Sequence, residues 1–218
     1  MFVLLFGYVF GGAIKVPTEN YISYLLPGII VQVVLFGAIQ TGIGLNMDLS
    51  KGMIDRFRSL PMARSAVLAG RTVSDAIRNI FVALLMTGVG YLMGFRIETN
   101  LPQALAALGL ALLFGFAFSW VSAAIGLLVK NPETAQVAGF IWVFPLVFAS
   151  SIFVPVETMP NALKAFAEVN PITVTVNAVR GLTLGGPVRQ PFYDSLFWIA
   201  VILMVFVPLA IRLYRRSA

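Results

Sequence analysis

The sequence contains neither cysteine nor histidine. Without cysteine there can be no disulfide, no iron–sulfur cluster and no thiol nucleophile. Without histidine the chain lacks the commonest metal ligand and the commonest general base. These two absences argue against a membrane-embedded hydrolase, and no metal site is predicted.

Charged side chains are also scarce. They make up 11% of the chain, while hydrophobic residues make up 59%, against a charged share of roughly 25% in soluble globular proteins. Nine acidic and fifteen basic residues cannot cover a soluble fold of 218 residues. Lipid must therefore surround much of the surface, and we predict an all-α integral membrane protein. The net charge of +6 does not indicate nucleic-acid binding, because the basic residues flank apolar spans.

Apolar segments that approach the roughly 20 residues of a transmembrane helix recur along the chain. Five predicted spans cover about residues 24–45, 80–95, 103–129, 134–153 and 192–213. Residues 1–14 would form only about 21 Å of helix, so we interpret them as the end of a sixth, truncated helix. A signal peptide is the alternative, although no basic residue precedes the apolar run.

Two longer connections separate these spans. Residues 47–79 form the most charged stretch, and residues 154–191 are broken by prolines and by Gly185-Gly186 into pieces of about a dozen residues. Such pieces are too short to cross a bilayer and are predicted to be interfacial or re-entrant helices. With residues 47–79 inside, ten of the fifteen basic residues are cytoplasmic, which also places the C-terminus in the cytoplasm.

The sequence contains no motif that would supply energy for transport. We find no GxxxxGK[ST] phosphate loop, no GxGxxG after a strand, and no paired carboxylates within one span. The predicted spans are almost free of the charged residues that ion-coupled pumps use. A partner protein would therefore have to provide the energy.

The loop after the second span has an amphipathic pattern. Its apolar residues recur at steps of four, four and three, which places them on one face of a short helix: Leu49, Met53, Phe57 and Leu60. Pro61 ends this helix, and a second helix is predicted to begin at Ala63 or Arg64. The pattern is compatible with a helix resting on anionic lipid headgroups or with a docking element for a soluble partner.

The same region carries a family resemblance. Residues 56–64 read R-F-R-S-L-P-M-A-R within a longer pattern from Gly44 to Asp75, and three further stretches match in order, residues 94–96, 130–136 and 153–182. Together they resemble the membrane subunit of a type 2 ABC exporter, close to the daunorubicin/doxorubicin resistance permeases. The cytoplasmic amphipathic helix and complete first span of that family have no counterpart here.

The resemblance implies a six-helix transmembrane permease that forms a dimer, with an identical or a paralogous copy, in the plasma membrane. It pairs with two copies of a separate ATPase subunit that uses ATP and Mg²⁺, and the permease itself binds no cofactor. Its coupling helix would contact the ATPase through Asp48, Leu49, Met53, Arg56, Phe57, Arg58, Leu60 and Pro61. Its outer re-entrant helical hairpin would roof the pathway with Phe153, Pro155, Met159, Pro160, Asn170, Pro171 and Arg180.

The expected function is export of a hydrophobic, drug-like compound. A lipid-linked saccharide or envelope component is an alternative cargo, and an ATPase-independent channel or scaffold is an alternative of another class. Eight aromatic residues could line a path for planar compounds, although packed or lipid-facing positions are commoner: Phe36, Phe114, Phe116, Phe118, Trp120, Phe140, Trp142 and Phe144.

We predict that Phe57→Ala abolishes ATPase-coupled transport and leaves membrane insertion intact. Movement passes through a contact only when it is well packed, so Arg58→Ala should have the smaller effect, because single exposed charges contribute little. Efflux from cells that make the partner ATPase measures both variants. Full efflux with Phe57→Ala would exclude the docking role.

Overall fold

The computed structural model describes residues 5–7, 16–18, 20–51 and 64–217. All regular elements in these ranges are helices, which confirms the prediction of an all-α protein. In chain order they are α1 (Tyr21–Ser50), α2 (Arg64–Leu92), α3 (Leu101–Leu128), α4 (Pro132–Phe148), a 3₁₀ turn (Val156–Thr158), α5 (Asn161–Val169), α6 (Pro171–Leu184) and α7 (Arg189–Ser217).

Asparagine and proline set the start of two central helices. The Asn100 side chain accepts a hydrogen bond from the Gln103 backbone N–H at 3.0 Å before α3, and Asn131 accepts one from Thr134 at 2.9 Å before α4. Each helix also has a proline in its first turn, where no N–H partner is lost. These local signals place both helix starts within two residues of the predicted spans.

Among the described residues, four helices are long and apolar enough to cross a membrane: Tyr21–Ser50, Val73–Leu92, Leu101–Leu128 and Arg189–Arg215. Helix α4 is also apolar, but its 17 residues span only about 25 Å. The described chain is thus that of a multi-pass membrane protein.

Helix α4 ends earlier than the predicted span 134–153. It stops at Phe148, and a buried turn follows, because side chains take over its last carbonyl groups. Asn170 donates to the carbonyls of Leu146 and Ala149, both at 2.8 Å, and the Ser150 hydroxyl donates to that of Val147. The helix therefore ends with its orphan carbonyls satisfied.

The connection predicted at residues 47–79 is largely helical where it is described. Helix α1 continues to Ser50, and α2 begins at Arg64 and contains a candidate span from Val73 to Leu92, whereas the predicted span covers 80–95. Asp75 and Arg78 consequently lie inside a span that was expected to lack charge. At the other end, Gly94 has φ +99° and turns the chain away from the helix.

Helix α1 lies at the centre of the bundle. In its most apolar part 72% of the residues are buried, against 17% for α2 and for α7. It packs on α2, α3, α4 and α6, and its most buried side chains include Leu25, Leu26 and Leu35. Helices α2 and α7 are therefore left to present broad faces to lipid.

Two glycines allow the backbones of α1 and α3 to touch. A Cβ atom on Gly42 would overlap the carbonyl oxygen of Ser122, and one on Gly126 would overlap the carbonyl oxygen of Gly42. Small residues at such crossings give close packing, which stabilises membrane helices in the absence of a hydrophobic drive between them. This geometry gives Gly42 a packing role.

We expect Gly42→Ala to lower the free energy of unfolding by about 1–3 kcal/mol, the usual cost of overpacking. Gly109→Ala in α3 is the matched control, since a Cβ there meets nothing within 4 Å. Thermal unfolding of the purified protein in detergent measures both variants. Equal melting temperatures for Gly42→Ala and the parent protein would contradict the packing role.

Candidate functional site

The N-terminal end of α1 binds the buried turn that follows α4. The hydroxyl of Tyr21 donates to the carbonyl oxygen of Phe153 at 3.0 Å, and that of Tyr24 donates to the carbonyl oxygen of Ser151 at 3.0 Å. One turn further along α1, a Cβ on Gly28 would lie 3.0 Å from the Cα of Ile152. The turn is thus fixed to α1 by two hydroxyl groups and by backbone packing.

Arg180 of α6 joins the same elements. Its Nε and Nη2 donate to the carbonyl oxygen of Tyr24 at 3.1 and 3.0 Å, and Nη2 also donates to that of Ser151 at 3.0 Å. Nη1 donates to Asn177 Oδ1 at 2.9 Å, and the guanidinium carbon lies 3.7 Å from the centroid of the Tyr24 ring. One side chain therefore connects α1, the turn after α4 and α6.

The positive charge of Arg180 is stabilised mainly by dipoles. In the described part of the chain, no ion pair forms between Arg180 and a carboxylate; backbone carbonyls, an amide oxygen and an aromatic face surround it instead. Burial lowers the pKa of the Arg180 guanidinium, while Tyr24 and Glu157 act in the opposite direction. Because an arginine starts from a very high pKa, the group stays protonated.

A polar cavity of about 340 Å³ lies beside this guanidinium. Its polar lining consists of Tyr24, Ser151, Glu157, Asn177 and Arg180. The described residues contain no cluster of three or more metal-ligating side chains. The cavity offers hydrogen-bonding groups and charge.

Asn170 connects α4 to α6. Besides the two α4 carbonyls that its amide group binds, its Oδ1 accepts from the backbone N–H of Ile172 at 2.9 Å and so caps α6. Pro171 occupies the first position of α6, where proline is favoured. Both residues were predicted for the outer region on family resemblance, and the structure gives each a local role.

The other predicted outer residues fall into two groups. Phe153 stacks on Phe148 with ring centroids 5.5 Å apart, and Pro155 lines the cavity. Met159 packs in a separate small cluster of the hairpin, and Pro160 is exposed immediately before α5. Phe153, Pro155 and Arg180 thus belong to one region, and Met159 and Pro160 do not.

Three residues of this region were not predicted, namely Tyr24, Ser151 and Asn177. Tyr24 was considered only as the first residue of a span, and the other two lie in apolar or hairpin sequence. Their partners are chiefly backbone carbonyls and each other, far apart along the chain. Arg180 itself was predicted from the family resemblance, and a lone arginine in a largely apolar segment is the local signal that could have indicated this contact.

The predicted coupling residues are only partly described. Asp48 and Leu49 form the last turn of α1 and not the start of a separate helix, since nothing between Leu45 and Ser50 interrupts the helix. Leu49 packs against the inner cluster that contains Leu127 and Tyr214. The remaining coupling residues lie outside the described part of the chain: Met53, Arg56, Phe57, Arg58, Leu60 and Pro61.

The aromatic residues divide between the core and one exposed face. Phe114 and Phe118 are buried, and Trp142 stacks on Phe118 with centroids 5.4 Å apart, so these three are core residues. Five others form a continuous row, which we call the phenylalanine series: Phe36, Phe140, Phe144, Phe148 and Phe153.

Neighbouring rings in the phenylalanine series lie close together. Phe36 of α1 is 6.0 Å from Phe140 and 6.1 Å from Phe144, and the successive α4 rings are 5.5 Å apart. Phe144 and Phe148 are 42% and 51% exposed. Phe153, at one end of the series, is buried, so the exposed aromatic surface lies mainly at Phe144 and Phe148 on one face of α4.

Comparison with known proteins connects this architecture to a family. Residues 1–184 match the model of the ABC-2 type transporter domain. The daunorubicin resistance ABC transporter permease protein DrrB1 of Streptomyces coeruleorubidus is 38% identical over 220 residues, which cover 100% of this chain and 77% of that protein. A probable doxorubicin resistance permease, DrrC of Mycobacterium tuberculosis, is 28% identical over 100% of this chain and 79% of its own length.

A more distant relative is the putative transport permease ycf38 of Cyanophora paradoxa, 23% identical over 84% of this chain and 64% of its own length. The family match and the 38% identity over the complete chain confirm the resemblance seen in the sequence motifs. Permeases of this family work with ABC ATPase subunits in transporter complexes. The chain therefore belongs to the ABC-2 type transporter family, as a multi-pass membrane permease.

Proposed function

We propose that this permease is the membrane-spanning subunit of an ATP-driven exporter for a flat, hydrophobic, drug-like compound. Two permease copies and two copies of a separate ATPase would form the complex in the plasma membrane, with the permease C-terminus in the cytoplasm. The observation that carries the proposal is the phenylalanine series, which offers an uncharged aromatic face of the kind a planar solute stacks against.

The dimensions of the series suit such a solute. Phe140, Phe144 and Phe148 repeat every four residues and so line one face of α4 over about 12 Å. Aromatic rings attract one another at centroid distances of about 4.5–7 Å, which is also the spacing within the series. Half-exposed rings leave room for a further flat ring to join them.

The aromatic face is open in a single chain. Ile141 and Val137, on neighbouring faces of α4, are exposed as well, so either lipid or another protein covers this helix in the membrane. If the second permease copy lies opposite, the two series enclose a path between the subunits. Two relatives are named for daunorubicin and doxorubicin resistance, and both of these compounds contain planar aromatic rings.

The energy for transport must come from outside the chain. The sequence has no phosphate loop, and the family works together with ATPase subunits. In the proposed cycle, ATP binding draws two ATPase subunits together, and the cytoplasmic loop passes that movement to the helices. The two permease copies then rock apart on one side and release the solute.

Arg180 would close the outer end of this path. Phe153 ends the phenylalanine series, and its backbone belongs to the turn that Tyr21, Tyr24 and Arg180 hold in place. A guanidinium that bonds to two separate elements fixes them relative to each other through a planar, rigid group. The contact therefore fixes the outer end of the series against α1.

Transport by the permease and its ATPase in proteoliposomes tests the proposal, with daunorubicin as the solute. Phe144→Leu removes a ring and keeps most of the volume. It should raise the half-saturating daunorubicin concentration about 2- to 13-fold, corresponding to 0.5–1.5 kcal/mol per aromatic pair. Phe81→Leu is the control, because Phe81 lies on α2 and is 66% exposed.

Equal half-saturation for Phe144→Leu and the parent protein would show that the series faces lipid. If the parent complex hydrolyses ATP without moving daunorubicin, drug export is the wrong function. Transport of a lipid-linked saccharide by the same complex would then favour the alternative cargo, and solute movement without ATPase would favour a channel.

A separate prediction concerns Arg180. Arg180→Lys keeps the charge but cannot reproduce the planar fork that reaches the Tyr24 and Ser151 carbonyls together. We expect the free energy of unfolding to fall by about 1.5–3 kcal/mol, the contribution of one hydrogen bond to a charged group. Thermal unfolding in detergent measures the change. Arg189→Lys, at an exposed position, should leave the melting temperature unchanged, and equal values for both variants would contradict the role of Arg180.

A further inference from the structure

Two charged residues lie within the membrane-spanning part of α2. Asp75 is the third residue of the candidate span Val73–Leu92, and Arg78 lies one turn further along. The Asp75 side chain is only 14% exposed, whereas that of Arg78 is 46% exposed. Ionisable groups inside a span are costly to bury and usually mark a functional position.

Both charges bind the same turn of α1. Asp75 Oδ2 accepts a hydrogen bond from the Thr41 hydroxyl at 2.5 Å, and Asp75 Oδ1 lies 3.0 Å from Arg78 Nη2. The same Arg78 nitrogen donates to the carbonyl oxygen of Gly37 at 3.1 Å. The two helices are thus joined by an ion pair that bonds at once to a hydroxyl and to a backbone carbonyl.

The surrounding residues fit closely around this contact. Gly37 and Thr41 are four residues apart and share one face of α1, and Asp75, Arg78 and Asn79 share one face of α2. Asn79 is buried, and a Cβ on Gly37 would overlap its Oδ1. We call these five residues the Asp75 contact.

The Asp75 contact lies on a direct route from the cytoplasmic loop to the aromatic face. Helix α2 is continuous from Arg64, so about 16 Å of helix separates the end of the loop from Asp75. On the other side of the contact, Gly37 directly follows Phe36, the α1 member of the phenylalanine series. A displacement of α2 would therefore move the turn of α1 that contains Gly37 and Thr41, and with it the adjacent Phe36.

We propose that Asp75, Arg78 and Thr41 are positioning residues that transmit movement of the cytoplasmic loop through α2 into α1 and to Phe36. The inference rests on the proposed function and adds a defined route to it. Charge-assisted hydrogen bonds are shorter and stronger than neutral ones, and a low dielectric strengthens them further. Such a contact resists sliding more than the apolar contacts elsewhere on α2 do.

Thr41→Val removes the hydroxyl at nearly constant volume, and Thr41→Ser retains it as the matched control. Asp75→Asn removes the ion pair. The assay follows ATP hydrolysis and daunorubicin export in the same proteoliposomes that contain the permease and its ATPase. We expect Thr41→Val and Asp75→Asn to hydrolyse ATP within about twofold of the parent rate but to use about tenfold more ATP per exported molecule. Thr41→Ser should match the parent protein.

A purely structural contact would give another result. Hydrolysis and export would then fall together as the amount of folded complex falls, and the ratio of ATP used to solute exported would not change. An unchanged ratio in Thr41→Val and Asp75→Asn overturns the inference while leaving the proposed function intact.

A second measurement does not depend on export. Because the chain contains no cysteine, spin labels can be attached to Gly70→Cys on α2 and Gln40→Cys on α1, both at exposed positions. We expect a narrow distribution of label distances within one chain, which widens with Thr41→Val and stays narrow with Thr41→Ser. A distribution that Thr41→Val leaves unchanged overturns the inference, whether or not the complex exports daunorubicin.

Discussion

Hydrogen bonding without water is the constraint on which the rest of this structure depends. In the hydrocarbon of a bilayer an unpaired polar group costs several kcal/mol, so a partner within the protein is strongly favoured. Helix α1 supplies partners for polar side chains of other helices at two levels. The carbonyl oxygen and the ring of Tyr24 bind the Arg180 guanidinium. The Thr41 hydroxyl donates to Asp75, and the Gly37 carbonyl oxygen accepts from Arg78.

The C-terminal end of α1 follows the same rule, except that here α1 supplies the side chain and the neighbouring helix supplies the carbonyl groups. Asn46 donates to the carbonyl oxygens of Gly126 and Val129 at 2.8 and 2.7 Å, at the point where α3 ends. These are carbonyls that a helix end leaves unpaired. Together with the glycine crossing of α1 and α3, this bond makes the inner half of α1 and the end of α3 a single packed unit, against which α2 and α7 can be positioned.

The positions of the helices were largely predictable, because apolar length and capping residues are local properties of the sequence. Asn100, Asn131 and the prolines beside them predict where α3 and α4 begin. The end of α4 was not predictable, since it depends on Asn170, which lies more than twenty residues away in the chain.

The polar contacts were harder to predict for a related reason. Asp75 and Arg78 were placed outside the membrane, in the charged connection 47–79, because hydropathy counts their charge and cannot count Thr41 and Gly37, more than thirty residues earlier. Arg180 was identified by resemblance, but its partners are mainly backbone carbonyls, which every residue possesses and no motif distinguishes. The sequence therefore predicted the apolar framework well, but it did not predict which buried polar groups contact one another.

The two polar levels of α1 also limit where the protein can deform. Between Tyr24 and Gly37, α1 contacts its neighbours mainly through apolar side chains, which form no directional bonds. Phe36 and the rings of α4 lie in this apolar stretch, between an outer contact built on Arg180 and an inner one built on Asp75. At each of these two contacts, α1 moves together with the helix to which it is bonded. Side chains can therefore rearrange most easily between the contacts, where the aromatic face lies. The polar contacts thus leave side-chain rearrangement to the part of the bundle that would bind a solute.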